Sequence, residues 1–186
     1  MLLAAGESRR LGVPKQLLRR RGRPLLLHAL DAARGAGLSA PLVVVLGAHA
    51  LRLRSLLRRR CPAACAVLNS RWRDGLASSL QAGLEAAPRG TQALLVLLVD
   101  QPDVDAAALR RLIAAWARHP NTAAAAHYSQ RAGVPAILPR RSWRALLELR
   151  GDTGARTLLR AAAPLTLVAM PEAGFDVDTP ADLARV

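Results

Sequence analysis

The chain has 186 residues, 52% of them hydrophobic and 22% charged, with a formal net charge of +14. Those proportions exclude a disordered or collagen-like chain, and the length accommodates one compact domain, 1–186, better than two. No apolar run approaches the roughly 20 residues that cross a bilayer, and the start lacks the charged-then-apolar pattern of a secretory signal, so a cytoplasmic protein with no membrane partner is expected.

The first strand is expected at Leu2 to Ala5. It is short for a strand leading into a phosphate loop, as it would be in a chain lacking a few N-terminal residues, and the exposed end of a central strand would cost stability. Leu25 to Ala36 then reads as a helix, Leu42 to Leu46 as a strand, His49 to Arg60 as a helix and Cys65 to Leu68 as a strand. A helix at Leu76 to Ala87, the most apolar strand at Ala93 to Val99 and a helix at Ala106 to Arg118 follow. Strands at Ala123 to His127 and Val134 to Leu138, helices at Arg141 to Leu149 and Ala155 to Ala162, and a strand at Thr166 to Met170 complete the series. Apolar strands alternating with amphipathic helices are the pattern of an α/β chain whose strands are buried on both faces. Pro41, Pro62, Pro88, Pro120, Pro139, Pro164 and Pro171 fall at or near the segment edges, where a missing backbone donor does least harm.

Of the 27 basic residues, 26 are Arg and only Lys15 is Lys, while Tyr and Phe occur once each. That skew reads as codon bias, so the runs Arg19 to Arg21 and Arg58 to Arg60 are assigned to solvated surface. Five scattered aromatics build no stacking platform for single strands, which argues against a nucleic-acid partner. Cys61 and Cys65 have no second pair and no nearby His at ligand spacing, so neither a zinc site nor a disulfide framework is expected. None of His28, His49, His119 and His127 sits in a catalytic motif.

Between the first strand and the first helix, Leu3-Ala4-Ala5-Gly6-Glu7-Ser8-Arg9-Arg10-Leu11-Gly12-Val13-Pro14-Lys15 forms a loop of small residues ending in cations. Small residues let a ligand approach the backbone, consecutive loop N–H groups can converge on phosphate oxygens, and Arg10 and Lys15 add charge-assisted donors. On residue types alone an ordinary strand-to-helix turn with surface charges is an equal reading. Six of the thirteen acidic residues lie in two clusters, Asp100-Gln101-Pro102-Asp103-Val104-Asp105 and Asp176-Val177-Asp178-Thr179-Pro180-Ala181-Asp182. Asp100 follows a buried strand, where open α/β sheets bind their ligands, and Asp100 with Asp178 would suffice for a nucleotide-bound Mg²⁺. Asp105 and Thr179 are expected only to cap the helices that follow.

Taken in order, these segments resemble the MobA-like nucleotidyltransferases, most closely their molybdenum cofactor cytidylyltransferase branch. The resemblance rests on Leu3-Ala4-Ala5-Gly6-x-Ser8-x-Arg10-x-Gly12-x-x-Lys15, Gly22-x-Pro24-Leu25-Leu26, and Asn69-x-x-Trp72-x-x-Gly75 with Ser78-Ser79-Leu80. Asp100-Gln101-Pro102, Gly133-Val134-Pro135-Ala136, Gly151-Asp152-x-Gly154-Ala155-Arg156 and Asp176-Val177-Asp178-Thr179-Pro180 continue it over nearly the whole chain. It departs at Leu11, where the family pattern has Met, a volume-conserving change.

The resemblance implies a three-layer αβα, Rossmann-like nucleotide-diphospho-sugar transferase (GT-A-like) fold with a mostly parallel mixed sheet. It implies CTP as the nucleotide, Mg²⁺ as the cofactor, a phosphorylated, molybdopterin-type pterin as the acceptor and a molybdoenzyme maturation partner. Leu3, Ala4, Ala5, Gly6 and Ser8 would contact the nucleotide, Arg10 and Lys15 its triphosphate, and Asn69, Gly75 and Ser79 the base and ribose. Arg10, Lys15 and Asp100 would be the catalytic groups, with Asp100 and Asp178 holding the metal. The same fold with GTP or a sugar-phosphate acceptor is the alternative, and a non-catalytic nucleotide- or polyanion-binding module ranks below it.

Overall fold

The computed structural model describes residues 1–38, 41–151, 159, 162 and 164–186. Its centre is a seven-stranded sheet built from β1 (Leu2–Ala4), β4 (Val43–Leu46), β5 (Cys65–Leu68), β6 (Ala93–Leu98), β7 (Ala123–Tyr128), β8 (Arg131–Pro139) and β9 (Leu165–Ala169). The spatial order is β5-β4-β1-β6-β8-β7-β9. β8 is antiparallel to both of its neighbours, whereas β1, β4, β5 and β6 are mutually parallel and β7 is parallel to β9. The sheet is therefore mixed and mostly parallel, as the resemblance implies.

Successive side chains of a strand leave the sheet on opposite faces, and both faces are apolar here. Leu2, Ala4, Val44, Leu46, Leu95 and Leu97 pack with Leu26 and Leu30 of α1 (Leu25–Gly35), Leu53 and Leu57 of α2 (Ala50–Arg60), and Leu109 and Leu112 of α4 (Ala106–Ala117). Leu3, Val43, Val45, Leu94 and Val96 pack with Leu80 and Leu84 of α3 (Leu76–Glu85) and with Trp143 and Leu146 of α5 (Trp143–Leu147). Three layers follow from this two-sided burial. Asp105 caps α4, its carboxylate accepting from the Ala108 N–H at 2.8 Å, a contact worth about 1 kcal/mol.

Several expectations need correction. β5 is a sheet edge, with Cys65, Ala66 and Leu68 exposed rather than buried on both faces. The end of β1 is covered: Met1 is buried and its amino group donates to the Leu95 carbonyl at 2.7 Å, burial pushing the amine down to about 5. The segment Arg19 to Pro24 forms a small antiparallel pair, β2 (Arg19–Arg20) and β3 (Arg23–Pro24), where no strand is expected. β8 begins at Arg131, three residues ahead of expectation, and a 3₁₀ turn at Arg140–Ser142 replaces the start of the helix expected from Arg141. Of the helix expected at Ala155 to Ala162 only Leu159 and Ala162, both buried, are described, and the 152–156 part of the Gly151 motif lies outside the described residues. No helix among the described residues is long and apolar enough to cross a membrane.

Candidate functional site

The loop after β1 is shaped by two side chains. Ser8 takes a left-handed φ of 62°, its carbonyl accepting from the Leu11 and Gly12 N–H groups and its hydroxyl from the Lys15 N–H, all at 3.1 Å. Gln16, fully buried, donates its amide to the carbonyls of Ala4 at 3.0 Å and Gly6 at 2.8 Å. This glutamine folds the loop back over the end of β1, and it carries no motif signal that would have marked it in the sequence.

The opposite wall is the segment between β5 and α3. Asn69 is its hub: the side-chain amide donates to the hydroxyls of Ser78 (2.9 Å) and Ser79 (3.0 Å), and its oxygen accepts from the Arg71 N–H at 2.9 Å. Gly75, at φ 97°, precedes α3 in a conformation that favours glycine. The Arg73 guanidinium lies over the Trp72 ring, 4.3 Å from its centroid. Gly47 joins the two walls underneath, because a Cβ there would meet the Ala5 carbonyl oxygen at 2.5 Å and Trp72 Cβ at 2.7 Å.

Between these walls is a cavity of about 670 Å³, a size typical of small-molecule sites. Leu3, Ala4, Ala5, Gly6, Ser8, Lys15, Gly75, Ser79 and Asp100 all line it. Asn69 does not; contrary to expectation it is spent behind the wall, positioning the residues that face inward. Arg10 does not line the cavity either; its side chain is 75% exposed and reaches Asp178, which is likewise not among the lining residues, at 3.2 Å.

Asp100 lies two residues past the end of β6, and the Val177 N–H donates to its carbonyl at 2.9 Å, which brings the second acidic cluster alongside. Asp182 fixes that cluster's turn by accepting from the N–H groups of Asp178 and Thr179 and from the Thr179 hydroxyl. The capping role expected for Thr179 is thus realised, on the 3₁₀ turn Pro180–Arg185. Buried Gln101 donates to the carbonyls of Val134 (2.9 Å) and Ala173 (3.0 Å), tying β8 and the turn before Asp176 to the end of β6.

Lys15 Nζ meets Asp100 Oδ2 at 2.6 Å and Asp178 Oδ1 at 2.7 Å. Burial works against the ammonium, but the two carboxylates outweigh it and hold its pKa above the ordinary lysine value. Asp176, which sequence reasoning did not assign to the site, is pushed up to about 6 by burial and by the charges of Asp100 and Asp178.

The donor set suits a divalent cation that shares its coordination with a ligand. Asp100 Oδ1 and Asp176 Oδ1 are buried and have no hydrogen-bond partner among the described residues, leaving hard anionic oxygens unsatisfied. Among the described residues, however, no group of three or more His, Cys, Asp or Glu side chains is arranged to hold a metal by itself. Phosphate oxygens would have to complete the shell.

Comparison with known proteins agrees with this geometry. Residues 1–166 match the family described as MobA-like NTP transferase domain. The chain is 33% identical to nicotine blue oxidoreductase of Paenarthrobacter nicotinovorans over 198 aligned residues, covering 100% of this chain and 94% of that protein. The crystal structure of Rv0371c from Mycobacterium tuberculosis H37Rv superposes with a TM-score of 0.81 at 33% identity, covering 99% and 94% of the two chains. Rv0371c has also been solved in complex with manganese. A nucleotidyl transferase from Methanothermobacter thermautotroptrophicus, Mth528, superposes with a TM-score of 0.81 at 25% identity, covering 99% of this chain and 93% of that one.

Proposed function

The chain belongs to the MobA-like NTP transferase family, and from that premise we propose that residues 1–186 form one cytoplasmic catalytic domain that moves CMP from CTP to the phosphate of a molybdopterin-type cofactor. The observation that carries this reading is the Lys15 ammonium held between Asp100 and Asp178 at a cavity lined by Leu3, Ala4, Ala5, Gly6 and Ser8. CTP is preferred because the loop reads Leu3-Ala4-Ala5-Gly6, similar to the cytidine-using branch. The finished dinucleotide would pass to a molybdoenzyme maturation partner.

A phosphate monoester with a second pKa near ~6 is mostly dianionic at neutral pH, so its oxygen can attack the α-phosphorus without a general base. A new P–O bond forms to the α-phosphorus, the bond to the bridging oxygen of the β-phosphate breaks, and pyrophosphate leaves with the electron pair. The barrier is the meeting of anions and the charge on the leaving group. Lys15, Arg10 and the loop N–H groups act on both, Lys15 as a compact charge that follows the triphosphate and Arg10 as an exposed fork of donors paired with Asp178. Mg²⁺, held by Asp100 and Asp178, would supply further neutralisation of the triphosphate.

The test is pyrophosphate release with each of the four nucleoside triphosphates and molybdopterin. Release with CTP, lost in Asp100→Ala, is expected; release with GTP or a sugar phosphate alone would reassign the substrates, and no release with any pair would overturn the reading. The name of the Paenarthrobacter relative, an oxidoreductase, favours one further reading, an oxidoreduction in this cavity. Oxidation of NADH or NADPH with an aromatic acceptor, in the absence of pyrophosphate release, would establish it instead.

A further inference from the structure

Resting on the nucleotide reading above, we propose that Lys15 is the resident counter-ion of the Asp100–Asp178 pair, so that the site takes a divalent cation together with a triphosphate in preference to the free cation. The two carboxylates come from chain segments 85 and 163 positions away from Lys15, and the ammonium bonds both at 2.6 and 2.7 Å. Asp178 is engaged on both oxygens, Oδ1 by Lys15 and Oδ2 by Arg10. Of the four oxygens in the pair, only Asp100 Oδ1 has no partner among the described residues, and it is buried. A free cation arriving here meets two open oxygens, Asp100 Oδ1 and the neighbouring Asp176 Oδ1, and an ammonium already seated between Asp100 and Asp178. Cation and ammonium therefore compete for the same anionic atoms.

A triphosphate changes that balance. Lys15 lines the same cavity as the Ala4-to-Ser8 loop, so phosphate oxygens placed there offer its ammonium another anion. Asp100 Oδ2 and Asp178 Oδ1 are then released at the moment phosphate oxygens arrive to complete a metal shell. Linkage makes the effect mutual: the factor by which triphosphate tightens metal binding is the factor by which metal tightens triphosphate binding. A flexible four-carbon stem with a point charge can pivot between two anions, whereas a planar guanidinium fixed on one carboxylate cannot do so as readily. This gives a physical reason for the single lysine of a chain with 26 arginines to stand at this position.

The experiment is Mn²⁺ binding to the full chain, followed by electron paramagnetic resonance, with and without CTP, GTP or inorganic tripolyphosphate. Free Mn²⁺ should bind Lys15→Met at least tenfold more tightly than wild type, and Asp100→Asn in that background should abolish the gain. Triphosphate should tighten Mn²⁺ binding to wild type at least tenfold and to Lys15→Met by much less. Equal affinity of wild type and Lys15→Met for free Mn²⁺ overturns the proposal, while tightening by CTP in wild type would leave the nucleotide reading standing. If no triphosphate alters Mn²⁺ affinity in either protein, the nucleotide reading falls and the proposal with it. Should Lys15→Met fail to fold, wild type labelled with [¹⁵N]lysine has a single side-chain ammonium signal. That signal should stay in place with Mg²⁺ alone and move with Mg²⁺ plus CTP; movement with Mg²⁺ alone overturns the proposal.

Discussion

Two cationic regions of this molecule differ in what surrounds them. Lys15, 13% exposed, is gripped by two carboxylates delivered from the end of β6 and from the C-terminal segment. Arg52, Arg54, Arg58, Arg59 and Arg60 of α2 are exposed, and among the described residues none of them is in an ion pair. Five charges facing water are screened within about a Debye length of ~8–10 Å and orient nothing. One charge in a partly buried network has a defined position, and position is what a reaction between anions requires. Net charge alone would have directed attention to the wrong face.

The sharpest way to break this contrast is at the paired site. Asp100→Ala and Lys15→Ala should each lower pyrophosphate release by about 10²-fold or more, the usual loss when one preorganised electrostatic group is removed. Circular dichroism should find both variants folded, and wild-type rates from either would end the assignment.

Next in size is the support behind the wall. Asn69→Ala removes three hydrogen bonds at a buried hub and leaves the Ser78 and Ser79 hydroxyls without their shared donor, at a cost of about 1–3 kcal/mol. A lower melting temperature is expected, with a rise in KM for nucleotide larger than the fall in kcat.

The neighbouring carboxylate gives a pH signature. With its folded pKa raised from 3.8 to about 6, Asp176 binds more protons in the native than in the unfolded chain between those values. Its contribution to stability is full below about pH 4 and is lost as pH rises through 6. Asp176→Asn should remove that slope and, at pH 7, melt about 2–4 °C above wild type, the shift of ~1 kcal/mol in a chain of this size. Thermal melts of both proteins from pH 4 to 8 would test it, and parallel curves would contradict it. The smallest effect belongs to α2: replacing Arg58, Arg59 and Arg60 with Ser should change pyrophosphate release by less than about twofold, since exposed charges contribute little.

Much of this organisation was legible in the sequence because burial on both faces leaves uninterrupted apolar runs, which mark β4 and β6 within a residue or so. The reversal of β8 was not, since Ala-rich and Val-rich runs look alike in either direction. Two-residue strands such as β2 and β3 have no room for a period. At the site, Lys15 and Asp100 stood out by composition and by placement after a strand. Gln16 and Asn69 did not, because their roles lie in which backbone groups they reach. The seating of Asp178 beside Lys15 spans 163 positions and depends on the Val177–Asp100 bond, which no local pattern encodes.

Gly47 gives the cavity a property that none of its lining residues controls. With backbone on one side and the Trp72 side chain on the other, it acts as the pin of a caliper whose jaws are the Ala5 strand end and the tryptophan segment. The spacing of the two walls is therefore set where they meet, by the absence of a single methyl group. If a nucleotide base occupies the cleft, as proposed above, Gly47 sets the width available to it without itself lining the cavity.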